Sequence, residues 1–100
     1  MSRIFDLLRR RTRRGVLSND NELLVWNGTR YAFVCCVYSI NLLQELTHSP
    51  QAHFGRRLGR AAPDGQAVYE VLGASDGFLA LREDDTALIY RRMADTNENA

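Results

Sequence analysis

The dipeptide Asn27-Gly28, set in the stretch ELLVWNGTRYAFV, constrains this chain more than any other feature. Asn-Gly fills both positive-φ positions of a two-residue type I′ turn, whose twist matches that of two antiparallel strands. So short a turn also fixes register. Trp26 then faces Thr29 and Leu24 faces Tyr31 on one side of the hairpin; Val25 with Arg30 and Leu23 with Ala32 fall on the other. The second strand is expected to run through Val37, because β-branched and aromatic side chains fill it. Apolar residues on both of its faces predict a central strand covered on each side. A helix from Tyr31 to Leu46 is the competing reading, since an apolar run alone does not settle the period.

The rest of the chain alternates between helix and strand signals. Ser2 can cap a first helix with the apolar stripe Ile4, Phe5, Leu7 and Leu8, ended by Gly15. Ser18 to Asn21 is a turn cluster. Ser39 can cap a helix through Leu46, with Leu42, Leu43 and Leu46 on one side. Ser49-Pro50 is a further helix-start signal, with proline at the first helical position. That helix would carry Phe54 and Leu58 inward and Arg56, Arg57 and Arg60 outward. Pro63-Asp64-Gly65 is a turn, and the AVYEVL stretch ending at Leu72 is a strand. FLALREDDTALIYRR reads as a second hairpin with Glu83 to Thr86 at its tip, and residues 93–100 as a frayed polar tail. The expected fold is therefore a single α+β domain over residues 1–100. Its antiparallel sheet, two hairpins plus one strand, packs against two or three helices.

A chain of 100 residues supports one modest core and little interior for a deep pocket. No segment has the roughly twenty apolar residues that cross a bilayer, and the N-terminus lacks the order of a signal peptide. A soluble, cytoplasmic protein is expected. Cys35 and Cys36 are adjacent, so an ordinary cross-link between them would be strained. They read as two buried thiols in a reducing compartment. The net charge of +1 hides an asymmetry: residues 1–14 carry +5 and residues 73–100 carry −3. Every cationic side chain is arginine, the residue suited to bidentate contacts with carboxylate and phosphate.

The chemistry-bearing residues do not assemble into a catalytic or metal motif. Cys35, Cys36, His48 and His53 are the soft ligands, but zinc sites want two to four residues between cysteines. No serine sits in a nucleophile elbow, GRRLGR lacks the strand and lysine of a phosphate loop, and Asp84 and Asp85 fall at a hairpin tip. No cofactor, metal or enzymatic activity is expected. Two arginine clusters stand out instead: Arg9, Arg10, Arg11, Arg13 and Arg14, and Arg56, Arg57 and Arg60. On one face they would form a footprint for phosphates. Arginine is equally at home in protein interface hot spots, along with Trp and Tyr. The arginines that precede Gly15 also suit the negative end of a helix dipole, with no partner at all.

Short, single-domain and motif-free, the chain resembles the small phage- or mobile-element-encoded inhibitors of bacterial defence, the anti-CRISPR proteins among them. The resemblance is one of size and class, and no site residues come with it. It implies occlusion without chemistry: a small protein covering a nucleic-acid-binding surface or a subunit of a host effector complex. The expected function is thus a non-enzymatic binding protein with a host protein or nucleoprotein as partner. The alternative is a small arginine-rich RNA- or DNA-binding protein.

Overall fold

The computed structural model describes residues 15–75 and 77–94. Its strands are β1 (Gly15–Leu17), β2 (Leu23–Trp26), β3 (Thr29–Val37), β4 (His53–Ala62), β5 (Gln66–Leu72), β6 (Phe78–Arg82) and β7 (Ala87–Arg92). One helix, α1 (Ile40–Thr47), lies between β3 and β4. The strands close into a barrel in the order β1-β2-β3-β7-β6-β5-β4. All neighbours are antiparallel except β1 and β4, which pair in parallel at Gly15↔Ala61 and Val16↔Ala62. The expected α+β arrangement, a sheet packed against two or three helices, is overturned: a closed barrel carries one short helix among the described residues. The closing seam is short: β1 meets β4 only at Ala61 and Ala62, so among the described residues His53 to Arg60 pair on the β5 side alone.

The first hairpin forms as its turn dictates. Asn27 and Gly28 take φ of 52° and 83°, and the register is Trp26↔Thr29, Val25↔Arg30, Leu24↔Tyr31 and Leu23↔Ala32. Beyond Val37 the chain turns into α1, so the apolar run is strand then helix. Ser39 is extended and its Oγ accepts the Leu42 N–H at 3.2 Å. At the other end His48 is left-handed, and its N–H reaches back to the Glu45 carbonyl at 3.2 Å. β3 departs from expectation in one respect. It is bulged between Phe33 and Cys35 and exposes Val34 and Cys36, so it is not covered on both sides. Cys36 is accordingly a surface thiol, while Cys35 is half-buried.

The largest local correction concerns Ser49 to Arg60. Ser49 does not start a helix: its hydroxyl donates to the Gly73 carbonyl and accepts the Gln51 N–H, which pins the loop before β4. The sequence then runs as a ten-residue strand. Two physical reasons separate this from the expected helix. Gly55 and Gly59 would each cost a helix interior about 1 kcal/mol relative to alanine. And β4 carries two bulges against β5, between Phe54 and Arg57 and between Arg57 and Gly59. Phe54 and Leu58 stand four apart in sequence, as on one helix face, but the bulges send Phe54 to the α1-side layer and Leu58 to the barrel interior. Gly15 opens β1, and a Cβ there would lie 2.4 Å from the Trp26 ring; the expected first helix before it, with Ser2, Ile4, Phe5, Leu7 and Leu8, lies outside the described residues.

The core has two layers, and alternation along the strands sorts residues between them. Leu17, Leu24, Trp26, Ala61, Val68, Leu79, Leu81 and Tyr90 fill the barrel, flanked by Tyr31, Phe33, Leu58 and Leu88. The opposite faces of the same strands supply Val71, Phe78, Ala80, Ala87 and Ile89, which pack under Leu43 of α1. Strands β3 and β4 point the same way, so their connection must cross over. α1 makes that crossing on the outside of β7, β6 and β5. Tyr90 ties the barrel to the turn at Ser18–Asn21: its hydroxyl donates to the Asn21 carbonyl at 2.7 Å. Burial first, then the nearby carboxylates of Glu22, Glu83 and Asp20, push this phenol up to about 12. No helix among the described residues is long and apolar enough to cross a membrane.

Candidate interaction face

Of the two arginine clusters, Arg9, Arg10, Arg11, Arg13 and Arg14 lie outside the described residues. Arg56, Arg57 and Arg60 all sit on β4 and are exposed. They do not form a helix face; the bulges distribute them. Where Gly55 and Arg56 oppose the single residue Glu70, the Arg56 N–H loses its ladder partner. The Glu70 carboxylate accepts that N–H at 3.0 Å and lies 3.5 Å from the Arg56 Nε. The Arg56 N–H, ahead of the guanidinium, holds the Glu70 carboxyl below the usual glutamate range. Arg56 is thereby explained within the fold.

Arg57 and Arg60 face outward on one row system. Arg57 pairs with Tyr69 and Arg60 with Ala67 on β5, and Tyr69 pairs with Ala80 on β6. Arg82, two residues beyond Ala80, falls on the same outer face. Its guanidinium lies 4.7 Å from the Phe54 ring centroid and 5.2 Å from that of Tyr69. A cation over two ring faces is held by their quadrupoles and loses little further freedom on binding. Among the described residues, Arg57, Arg60 and Arg82 have no carboxylate at ion-pair distance, in contrast to Arg56. Three arginines around two half-buried aromatic rings thus make one exposed patch of the barrel wall.

A groove of about 180 Å3 adjoins the patch, shared by Phe54 and Arg82 and continued by Tyr38, Glu83, Asp84 and Asp85. Tyr38, at the entry to α1, is 73% exposed, the most of any large hydrophobic residue described. Glu83 to Thr86 form the expected β6–β7 tip, where the Glu83 N–H bonds the Thr86 carbonyl at 2.8 Å. A second, apolar groove of about 310 Å3 runs between β3 and α1, lined by Cys35, Cys36, Leu42 and Leu46. Burial pushes the Cys35 thiol up. The soft ligands are dispersed over three elements: Cys35 and Cys36 on β3, His48 at the α1 cap and His53 at the start of β4. Among the described residues, no three His, Cys, Asp or Glu side chains converge as a metal site.

The sequence reading thus picked Arg57 and Arg60 from the patch. It missed Tyr69 and Arg82, which share that face only once three strands pair, and Phe54, which a bulge in β4 brings to it. The available signal was alternation: Tyr69 in AVYEVL and Arg82 in FLALR each sit two residues from a small outward residue. Comparison with protein-family models, with characterised proteins and with solved structures finds no match.

Proposed function

We propose that this chain is a small non-enzymatic binding protein, a phage-encoded inhibitor of the anti-CRISPR kind. It acts in the cytoplasm of the infected cell by covering a surface of a host nucleoprotein effector complex. The supporting observation is the patch of Arg57, Arg60 and Arg82 around Phe54 and Tyr69. Arginine held on aromatic rings, exposed and without an ion-pair partner, is the composition of an interface hot spot. Its chemistry fits an acidic protein surface, which guanidinium forks engage bidentately. Arg9, Arg10, Arg11, Arg13 and Arg14 extend the contact set in this proposal.

The test is plaque formation on bacteria carrying an active RNA-guided nuclease system. Expression of the chain should protect an otherwise restricted phage, and replacing Arg57, Arg60 and Arg82 with glutamine should remove the protection. The triple variant should keep its melting midpoint within a few degrees, because exposed charges contribute only tenths of a kcal/mol each. Absence of protection across a panel of such systems sinks this reading.

Direct binding to RNA or DNA is the second reading. The same patch favours it, since arginines interleaved with aromatic rings also suit a single strand whose bases stack. Under it, affinity for nucleic acid should weaken steeply with salt and fall in the triple glutamine variant.

A further inference from the structure

The patch does not end in neutral surface. Arg82 is followed directly by Glu83, Asp84 and Asp85, and all four line the groove beside Tyr38. Among the described residues these carboxylates have no ion-pair partner, and Glu83 is held only by the Gln66 amide at 3.4 Å. The wall of arginines and the wall of acids are therefore both open to solvent, side by side, without cancelling each other in internal ion pairs. Tyr38, exposed and lining the same groove, adds an aromatic surface on which a cationic side chain can rest.

Such a face fits one class of partner. A nucleic acid presents an unbroken line of negative charge, so any strand drawn to Arg57, Arg60 and Arg82 must run against Glu83 to Asp85. Like-charge juxtaposition of this sort costs affinity and is how proteins reject wrong partners. A protein surface carries both signs and can match both walls. Resting on the proposal that the arginine patch is the contact face, we propose that the β6–β7 tip is its specificity element. It receives a lysine or arginine side chain of the partner protein in the groove beside Tyr38, and it turns nucleic acid away from the arginines.

The test uses the full chain and a labelled oligothymidylate of about fifteen nucleotides, long enough to span one small barrel. Near physiological salt the unaltered chain should bind it weakly. The variant Glu83→Gln, Asp84→Asn, Asp85→Asn should bind at least about tenfold more tightly, with a steeper salt dependence. Adding Arg57→Gln, Arg60→Gln and Arg82→Gln to that variant should abolish the gain, which ties it to this face rather than to the arginines before Gly15. An unaltered chain that already binds as tightly as the acid-neutralised one overturns the proposal, and so does a gain that survives loss of the three arginines. Phage protection separates this from the broader reading: if the arginines matter there while neutralising the tip changes neither protection nor oligonucleotide binding, only the role of the tip fails. Both variants are checked for an unchanged melting midpoint, and Glu83, Asp84 and Asp85 are all exposed on the turn.

Discussion

Strands β6 and β4 are built from opposite solutions to the same problem. β6 reads Phe-Leu-Ala-Leu and is buried at four successive positions, because the barrel covers one face and α1 the other. β4 runs ten residues with arginine and glycine throughout, buries only Ala61 fully, and bends through two bulges. A strand covered on both faces reads as a near-continuous apolar run. A strand covered once can spend its outer positions on charge and absorb extra residues. Stability is thus concentrated in the β6–β7 hairpin under α1, while the proposed contact surface is built from outward positions of three strands: Phe54, Arg57 and Arg60 on β4, Tyr69 on β5 and Arg82 at the exposed end of β6. The consequence is that the face can be altered without unfolding the protein.

The largest expected effect tests that division. Leu81 is fully buried in the barrel, so Leu81→Ala should cost about 2–5 kcal/mol from lost transfer energy and the cavity left behind. Leu58 on β4 packs against the same layer but is only half-buried. Leu58→Ala should cost clearly less, on the order of 1–2 kcal/mol, with the surrounding strand able to relax. Urea denaturation of the two variants measures the difference. Equal losses would show that β4 is as integral to the core as β6.

A smaller effect is expected where the hairpin meets the Ser18–Asn21 turn. Tyr90→Phe removes the hydroxyl that donates to the Asn21 carbonyl and should cost about 1 kcal/mol. The phenol's pKa is pushed up to about 12, above its ordinary value of 10, so the folded state favours the protonated form. That contribution is complete below pH 10 and is lost as pH rises from 10 through 12. Stability measured across this window should fall more steeply in the unaltered chain than in Tyr90→Phe. Parallel curves would mean that the phenol titrates normally.

The same contrast explains what could be read from the sequence. The Asn27-Gly28 hairpin, with its full register, and the FLAL…ALIY hairpin were legible because a local turn or a continuous apolar run dictated them. α1 was legible from its serine cap and leucine spacing. The class of fold was not, because closure depends on the parallel pairing of Gly15 and Val16 with Ala61 and Ala62, two strands far apart in sequence and without a local signal. β4 was misread because Phe54 and Leu58 stand four apart, a spacing that suits a helix as well as a strand, and nothing local marks the two bulges that send them to opposite faces. Two of the patch's three arginines were legible for a related reason. Arg57 and Arg60 are close in the chain, whereas Tyr69 and Arg82 meet them only across β5 and β6, and Phe54, on β4 itself, shares their face only through the bulge before Arg57.

The smallest effect lies in the β4 bulge itself. Glu70 accepts the backbone N–H of Arg56, the donor that the extra residue leaves without a ladder partner. Its carboxyl is held below the ordinary glutamate value of 4.5, first by that N–H and then by the guanidinium. The ionised form is therefore the one the folded state favours. Its stabilising contribution is present above pH 4.5 and disappears as pH falls through the lowered folded value. Glu70→Gln keeps a carbonyl that can accept the N–H but removes the charge, so the loss at neutral pH should be slight. In the variant the acid-side decline in stability should be shallower than in the unaltered chain, and the two should converge at low pH. Urea midpoints at neutral pH and at about pH 3 give both quantities. If the difference between the two proteins is the same at both pH values, the Glu70 charge does not hold the bulge. The Arg56 N–H must then be satisfied by water, which would make β4 a looser strand still and widen its contrast with β6.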